Sequence, residues 1–421
     1  MAVELTRYEQ EMLAGAHGPA VKMAMSVIVR MAEFHGVPRL LEISAAHIDS
    51  SVYLGVAGME FAERLADLGG KLAVPATMNV GSLDEHHWQE WPVPDDVAHG
   101  ALRQMKAYQK MGCRPTWTCA PYQVEMRPEF GQQIAWGESS AIVFANSVLG
   151  ARTARYPDLM DICAALTGRV PEASLHLTEN RAGQVVLDLA VVSAELQQQN
   201  DFYPVLGHLM GKLVGNDIPV IDNFKGSPTE DNLKAFGAAS ASSGAVALFH
   251  IVGVTPEAST LEAACQGNTD VKRVPITMAM LRGAWRELTK ATGEKLDMVI
   301  LGSPHFSIAE FKQLAPLVAG KKVHPDVKFL ITSSRAMTML AHKAGIAQTL
   351  KEFGAQLTVD TCILVSPMLP PEIKCLMTNS AKYAYYAPGL LNTEITFGSL
   401  EDCVNSAVVG RVVREEGLWQ A

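Results

Sequence analysis

The second half of the chain alternates between short apolar runs and segments with helical spacing. Runs that predict strands lie at 246–252, 296–301, 327–331 and 356–359, and helical segments separate them. Strands that alternate with helices pair in parallel, because each helix carries the chain back along the sheet. The pattern therefore predicts an α/β protein whose second part is a parallel, doubly wound sheet.

Length and a change of composition suggest two parts. The chain has 421 residues, more than one hydrophobic core usually holds, and a stretch rich in Gly, Ser and Ala at 237–244 is typical of a hinge or linker. We expect an N-terminal α/β domain over 1–236 and a doubly wound α/β region over 237–421. In the first part, apolar runs at 40–44 and 71–75 flank a helical segment and predict a βαβ unit.

Composition narrows the classes of partner and the compartment. A net charge of -9 without a Lys/Arg-rich run argues against nucleic acid or an anionic membrane surface as the main partner. No apolar run approaches the roughly 18 residues of a membrane span, and the N-terminus lacks a leader pattern. Seven scattered cysteines indicate a reducing compartment. We expect a cytoplasmic protein that binds a small molecule.

Polar residues follow the predicted strands in both parts. They lie at 46–51, 77–79, 302–305, 332–335 and 360–362. The carboxyl ends of parallel strands face the ligand crevice of an open α/β sheet, so these segments are candidates for the functional site. A single histidine such as His47 has a structural role as an alternative.

The stretch around Cys119 carries the strongest local signal. Pro121 stops regular structure after the cysteine, and the segment 137–141, with Glu138 and Ser139, then opens an apolar helix. This order places a soft ligand, a carboxylate and hydroxyls on loops at a sheet edge. A buried free cysteine beside an N-capped helix explains the same residues equally well. Arg152 and Arg155, beyond the helix, fit either an anion site or the helix dipole.

Several common motifs are missing. The sequence contains no Walker A motif, no G-x-G-x-x-G, no HExxH and no pair of C-x-x-C motifs. What remains is a set of single cysteines at separate strand-to-helix turns. Such cysteines suit a metal or iron–sulfur site in a cleft between domains, because thiolates are preferred ligands of these groups.

Nine segments match one protein family in sequence and order. They lie at 5–9, 43–49, 74–79, 118–122, 137–139, 146–155, 302–305, 360–362 and 380–383. The chain resembles the large subunit of the aconitase X family over essentially its whole length. The resemblance implies an aconitase-like fold of three-layer αβα domains, equivalent to the first three domains of aconitase and without the fourth, swivelling domain. A separate small subunit is then implied, which carries that domain and a serine base.

The resemblance also implies a hydro-lyase in which iron acts as a Lewis acid on the leaving hydroxyl. The residues expected to be catalytic are Glu138, Ser139, Lys382 and His47. The residues expected to bind substrate are Ser50, Ser51, Val52, Asn79, Val80, Ser334 and Arg335. The residues expected to bind metal are Cys119, Ser303 and Cys362.

The identity of the iron group stays open at this point. Ser303 stands where some members of the family have cysteine, and serine is a poorer ligand for iron–sulfur chemistry. A four-iron cluster, a two-iron cluster and a single iron are all compatible with the sequence. Cys403 is an alternative to Ser303 as the third ligand.

Two substrates are represented in the family, cis-3-hydroxy-L-proline, which gives 1-pyrroline-2-carboxylate, and mevalonate 5-phosphate. A phosphate favours backbone donors in a glycine-rich turn. The candidate turn at 49–52 has no glycine and begins with an aspartate, which favours the amino acid. A non-catalytic binding subunit that has lost its cluster is a further alternative.

Overall fold

The computed structural model describes residues 3–419. The first segment contains helices α1 (Arg7–Ala14), α2 (Pro19–His35), α3 (Val56–Asp67), α4 (Asp95–Met111), α5 (Ser139–Phe144) and α6 (Met160–Thr167). Its strands are β1 (Leu40–Glu42), β2 (Ala46–Ile48), β3 (Ala76–Met78), β4 (Ala135–Trp136) and β5 (Arg169–Pro171). Strands β3, β2 and β4 form a parallel sheet in that order, and β1 pairs antiparallel with β5.

The predicted βαβ unit is present, but different strands form it. The strand expected at 40–44 is confirmed as β1, which instead pairs antiparallel with β5. The parallel strands are β2 and β3, which lie in the segments expected to be polar loops, whereas 71–75 is not a strand. His47 and Thr77 are register partners on these strands, and His47 Nδ1 is hydrogen-bonded to Thr77 Oγ1 at 2.8 Å. This hydrogen bond satisfies His47 Nδ1 and Thr77 Oγ1 inside a buried sheet, whereas His47 Nε2 is buried without a partner among residues 3–419.

The middle segment forms a second parallel sheet. Its elements are β6 (Val185–Asp188), α7 (Phe202–Val214), β7 (Pro219–Asp222), α8 (Glu230–Ser243), β8 (His250–Ile251), α9 (Leu261–Ala264), β9 (Lys272–Pro275) and α10 (Met278–Glu287). The strand order is β8-β7-β6-β9. The strand expected at 246–252 is therefore β8, and it lies in this sheet.

The last segment is the doubly wound sheet that the alternating pattern predicts. Its elements are β10 (Met298–Phe306), α11 (Ile308–Val318), β11 (Lys328–Ser333), α12 (Arg335–Lys343), α13 (Ile346–Phe353), β12 (Ala355–Thr358), β13 (Cys375–Thr378), α14 (Ala381–Leu391), β14 (Glu394–Phe397) and α15 (Leu400–Val409). Five parallel strands follow the order β12-β11-β10-β13-β14. The carboxyl end of β10 brings Ser303 towards the first segment.

The expected linker at 237–244 is wrong, because most of it is the buried second half of α8. Its small residues allow α8 to pack closely on α7. A Cβ added at Gly207 of α7 would lie 2.3 Å from the carbonyl oxygen of Phe236, and one added at Gly211 would lie 2.7 Å from that of Ser240. The small Gly, Ser and Ala residues of this stretch therefore allow two helices to pack closely and do not form a flexible linker.

Two expectations about the chain as a whole remain. The division between 1–236 and 237–421 stays a prediction, and α8 runs across that position. Within residues 3–419 no single helix is both long and apolar enough to cross a membrane. Only α1 and α2 taken together, with a bend of 117° between them, pass on length and composition.

Because α7 and α8 are in close contact, we expect one added methyl group between them to lower the stability of the protein strongly. Gly207→Ala should lower the free energy of unfolding by about 1–3 kcal/mol, because the backbone of α8 cannot move away cheaply. Gly283→Ala in α10 is the matched control, since a Cβ there meets nothing within 4 Å. It should be neutral or stabilising by about 0.5–1 kcal/mol. Urea denaturation of both variants tests this, and equal midpoints would contradict the packing argument.

Candidate active site between the first and last sheets

A pocket of about 350 Å³ lies where loops of the first segment meet loops of the last. From the first segment it is lined by Asp49, Val52, Leu54, Asn79, Val80, Cys119, Gly137, Glu138, Ser139, Ile142, Arg155, Tyr156 and Asp158. From the last segment it is lined by Ser303, Cys362, Leu364, Val365 and Lys382. A larger cleft of about 600 Å³ elsewhere contains none of the predicted site residues.

Glu138 and Lys382 form a buried ion pair across this junction. Lys382 Nζ donates to Glu138 Oε1 at 2.7 Å and to Ser140 Oγ at 2.9 Å. Glu138 is also the N-cap of α5, where its Oε2 accepts from the backbone N–H of Ala141 at 2.6 Å. The Glu138 carboxylate therefore both caps α5 and binds a lysine from the last segment.

The pair keeps both partners charged. Burial alone would raise the pKa of Glu138, but the Lys382 ammonium and the backbone N–H donors of α5 together lower it. Burial alone would lower the pKa of Lys382, and the negative charge of Glu138 raises it instead. The pocket therefore contains a carboxylate and an ammonium with fixed positions.

Two cysteines and a serine contribute soft and hydroxyl ligands. Cys119 Sγ accepts from the backbone N–H of His305 at 3.2 Å, and Cys362 Sγ lies 3.5 Å from the hydroxyl of Tyr383. Burial raises the pKa of both thiols, that of Cys119 to about 12. Ser303 belongs to β10, and its carbonyl accepts a hydrogen bond from the Ser380 hydroxyl.

Both cysteines follow a residue with left-handed backbone. Trp117 has φ of 43° and Asp360 has φ of 66°, each two positions before its cysteine. Non-glycine residues adopt this region rarely and at a cost, which the surrounding structure must offset. Trp117 is fully buried, and Asp360 accepts two hydrogen bonds from Arg335. These contacts hold the turns that bring the thiols to the pocket.

The pocket wall contains side chains that could act as ligands of an iron group. Within residues 3–419 no three His, Cys, Asp or Glu side chains converge on a metal position. Two thiols and the Ser303 hydroxyl do line the same pocket. Thiolates suit iron, so Cys119, Cys362 and Ser303 could hold a single iron or a small cluster. Cys403, the alternative third ligand, is fully buried in the core of the last sheet and does not line the pocket.

One corner of the pocket is acidic. Asp49 follows β2, and its Oδ1 accepts a hydrogen bond from Asn79 Nδ2. Its backbone N–H donates to Asp161 Oδ2 at 2.6 Å. Gly137 is required beside it, because a Cβ there would lie 2.7 Å from Asp49 Cβ. Burial and the charges of Glu138, Asp161 and Asp158 raise the pKa of Asp49 to about 8.

Arg155 supplies the second cation of the pocket. It is exposed, and no ion pair joins it to any other residue between positions 3 and 419. Arg335, which was expected to bind substrate, is instead held by Asp360 at 2.6 Å and by Glu85 at 2.7 Å and does not line the pocket. An anionic ligand group would therefore meet Arg155 and not Arg335.

The structure brings most of the predicted site residues together. Those that line the pocket are Glu138, Ser139, Lys382, Val52, Asn79, Val80, Cys119, Ser303 and Cys362. Those that do not are His47, Ser50, Ser51, Ser334 and Arg335.

The residues outside the pocket have structural contacts. Burial lowers the pKa of His47 to about 4, so this histidine is neutral in the sheet below the pocket. Ser50 Oγ binds Asp161, and Ser51 Oγ donates to the carbonyl of Ile48 at 3.0 Å. Ser334 is the N-cap of α12. Their catalytic or binding roles stay predictions.

Sequence reasoning missed several lining residues. They are Asp49, Leu54, Ile142, Tyr156, Asp158, Leu364 and Val365. Asp49 was considered only as the first residue of the candidate turn, and the role of Arg155 was left open. The signal available for Tyr156 and Asp158 was their position directly after the arginines, in a polar segment that precedes α6.

Comparison with known proteins gives consistent results. Family models described as the first, second and third domains of aconitase X match residues 2–179, 183–286 and 296–409. The chain is 47% identical over 411 residues to a cis-3-hydroxy-L-proline dehydratase of Pseudomonas aeruginosa, which covers 97% of this chain and 70% of the relative. It is 34% identical to a phosphomevalonate dehydratase large subunit of Methanocaldococcus jannaschii, with 94% and 98% covered.

A solved structure agrees with these matches. The holo-form crystal structure of Thermococcus kodakaraensis aconitase X superposes with a TM-score of 0.86 at 32% identity. The superposition covers 96% of this chain and 100% of that one. The three-domain aconitase-like fold expected from the resemblance is confirmed.

The buried ion pair predicts a pH-dependent loss of stability. Lys382→Met should cost about 3–5 kcal/mol at about pH 7, because it leaves Glu138 buried and unpaired. In the wild type the lowered pKa of Glu138 contributes stability above its unfolded pKa, which is lost as pH falls. In the variant, burial raises that pKa, so the loss relative to wild type should shrink by about pH 4.

Chemical denaturation at the two pH values measures this difference. The double variant Glu138→Gln/Lys382→Met is the control, since it removes both charges and should make the difference nearly independent of pH. A constant difference for Lys382→Met alone would show that the ion pair is not the cause.

Proposed function

The chain belongs to the aconitase X family, and we propose that it is the catalytic large subunit of a hydro-lyase that dehydrates cis-3-hydroxy-L-proline to 1-pyrroline-2-carboxylate. One observation carries the proposal: a single pocket combines two cysteines, a buried carboxylate–lysine pair, an arginine and an acidic corner. The substrate in the name of the Pseudomonas relative supports the choice.

The reaction sets the roles that the site must fill. A proton leaves C2 of the ring and the hydroxyl leaves C3, so that water is lost and a C2=C3 double bond forms. The resulting enamine becomes the imine when one proton moves from nitrogen to C3. The enzyme needs an anchor for the carboxylate, help for the leaving hydroxyl and a base for the weakly acidic C2 proton.

The cations of the pocket are suited to the substrate carboxylate. Arg155 and Lys382 both line it, and Glu138 keeps Lys382 charged and fixed. Arginine binds carboxylates through two parallel hydrogen bonds, which orients as well as attracts. The hydroxyl of Ser139 lies beside them and can donate to the same group. We assign carboxylate binding to Arg155, Lys382 and Ser139.

We assign iron binding to Cys119, Cys362 and Ser303. When bound, the iron supplies a Lewis acid for the leaving hydroxyl. With two thiols and one hydroxyl on the pocket wall, a single iron or a two-iron cluster suits this ligand set better than a four-iron cluster. We propose that the hydroxyl end of the substrate lies at these three residues and its carboxylate at Arg155 and Lys382.

The base for the C2 proton is not evident among the pocket-lining residues. Ser139 Oγ lies 3.4 Å from Glu138 Oε1, but that carboxylate is held by Lys382 and is a weak base. We propose that a small subunit with a swivelling domain carries a serine base and covers the pocket. Relatives named as large subunits support an enzyme of two chains. Exclusion of water by this cover would strengthen every charge interaction inside.

Two alternatives remain. Mevalonate 5-phosphate is the substrate in the names of the archaeal relatives, but Asp49 and Asp158 line this pocket and would repel a phosphate. A binding subunit without catalysis would follow if the replacement of cysteine by Ser303 had removed the iron. The retained Glu138–Lys382 pair counts against that alternative.

The proposal predicts dehydration that depends on the small subunit. The iron-loaded chain alone should turn over cis-3-hydroxy-L-proline very slowly, and addition of the small subunit should raise the rate by about 10²–10⁴, the usual contribution of a positioned base. Formation of 1-pyrroline-2-carboxylate is the readout, with mevalonate 5-phosphate as the second substrate.

The other outcomes of this assay are equally informative. Full turnover by the chain alone would assign the base to Ser139 or Asp49. Binding without turnover when both chains are present would favour the non-catalytic alternative. Turnover of mevalonate 5-phosphate but not of cis-3-hydroxy-L-proline would make mevalonate 5-phosphate the substrate.

A second prediction separates the candidate ligands. Cys119→Ser and Cys362→Ser should lose most of the iron of anaerobically prepared protein, Ser303→Cys should keep or increase it, and Ser303→Ala should lower it. Cys403→Ala is the control, because this thiol lies in the core of the last sheet. Metal analysis and visible absorbance measure the iron. If Cys403→Ala alone removed it, the assignment of Ser303 would be wrong.

A further inference from the structure

Asp49 and Asn79 offer two unused hydrogen-bond acceptors to the pocket. Asn79 Nδ2 donates to Asp49 Oδ1, and no residue between positions 3 and 419 donates to Asp49 Oδ2. Asn79 is 3% exposed, and its Oδ1 is buried without a partner. A buried acceptor without a donor is costly, so the pair is suited to a ligand that brings two N–H groups.

The neighbouring Asp161 differs in this respect. Its Oδ2 accepts from the backbone N–H groups of Asp49 at 2.6 Å and Ser50 at 2.9 Å, and its Oδ1 accepts from Ser50 Oγ and from the backbone N–H of Ile162 at 2.7 Å. Asp161 therefore supports the turn from behind. It holds the backbone of Asp49 in place and has no oxygen left for a ligand.

Asp49 also lacks a cation. Glu138 is paired with Lys382, and Asp360 is paired with Arg335. For Asp49 no ion pair is found in the described part of the chain, although Glu138, Asp158 and Asp161 are near enough to repel its charge. A positive ligand group is the component that this corner lacks.

We infer that Asp49, positioned by Asn79, binds the ring ammonium of the substrate and selects a cyclic imino acid over hydroxy acids without that charge. The inference rests on the proposed function and goes beyond it, since it names the groups that read the nitrogen. A secondary ammonium has two N–H donors, which match Asp49 Oδ2 and Asn79 Oδ1. The carboxylate end of the same molecule meets Arg155 and Lys382.

The electrostatics of the corner agree with this assignment. Burial and the surrounding carboxylates raise the pKa of Asp49 to about 8, which reflects a site unfavourable for a lone negative charge. An ammonium beside it reverses the balance and stabilises the carboxylate. A phosphate in the same corner would add repulsion to three neighbouring acidic groups.

The experiment compares two ligands that differ only at the ring atom. L-Proline carries the ammonium, and (S)-tetrahydrofuran-2-carboxylate has an ether oxygen in its place. Calorimetry on the full 421-residue, iron-loaded chain gives both dissociation constants. Wild type should prefer L-proline at least about tenfold, as expected for a hydrogen bond to a charged group. Asp49→Asn should remove most of this preference by weakening L-proline alone.

Two further variants make the comparison specific. Asp67→Asn removes an exposed carboxylate that pairs with Lys110 and does not line the pocket, and it should leave the preference unchanged. Asp158→Asn removes the exposed acidic residue of the same pocket and should leave most of the preference in place.

Each other outcome overturns the inference. If Asp49→Asn keeps the preference for L-proline, or binds both ligands equally more weakly, Asp49 has a structural role only. If Asp158→Asn loses the preference, Asp158 and not Asp49 binds the ammonium. A wild-type chain that binds neither ligand, and that does not turn over cis-3-hydroxy-L-proline even with the small subunit present, refutes the proposed function together with this inference. Turnover without any preference refutes the inference alone.

Discussion

A buried charge must find its counterion inside the protein, and in this chain the counterion of Glu138 comes from 244 residues further along. The cost of an unpaired buried carboxylate is several kcal/mol, so the pair fixes how the loops of the first sheet meet those of the last. Glu138 is at the same time the cap of α5, and Lys382 lies in the first turn of α14. One contact thus joins two helices, closes the junction between two sheets and places charge in the pocket.

Local chemistry made much of the fold predictable. The alternation after residue 296 predicts the parallel sheet that the structure contains, and in the structure capping boxes at Thr6, Ser307 and Ser399 begin helices. The hydrophobic pattern did not predict strands that contain polar residues hydrogen-bonded to one another. His47 and Thr77 read as loop residues because each is polar, but their mutual hydrogen bond lets both lie in strands. The small residues of 237–244 read as a linker because close packing against Gly207 depends on a helix 30 residues or more away in sequence.

The functional site, like the fold, could be predicted from the sequence only in part. Cysteines, Glu138 and Lys382 are identified by residue type and by the resemblance, since their chemistry is unusual in a core. The role of a carboxylate depends instead on its partners, which no single sequence displays. Arg335 was expected to anchor substrate, yet Asp360 and Glu85 already neutralise it. Asp49 was noted only as the start of the candidate turn, although it lines the pocket and forms no ion pair with any residue between positions 3 and 419.

The balance of charge in the pocket connects these observations with the choice of substrate. Three carboxylates line it, Asp49, Glu138 and Asp158, together with two cations, Arg155 and Lys382. The charged groups differ in their partners, since Lys382 is held by Glu138, whereas Asp49 is held by the neutral amide of Asn79. A zwitterion brings one charge of each sign and no net charge, whereas a phosphorylated carboxylate brings several negative charges and no positive one. Under the proposed assignment, the pairing of the fixed charges, rather than their sum, is therefore what suits this pocket to an imino acid.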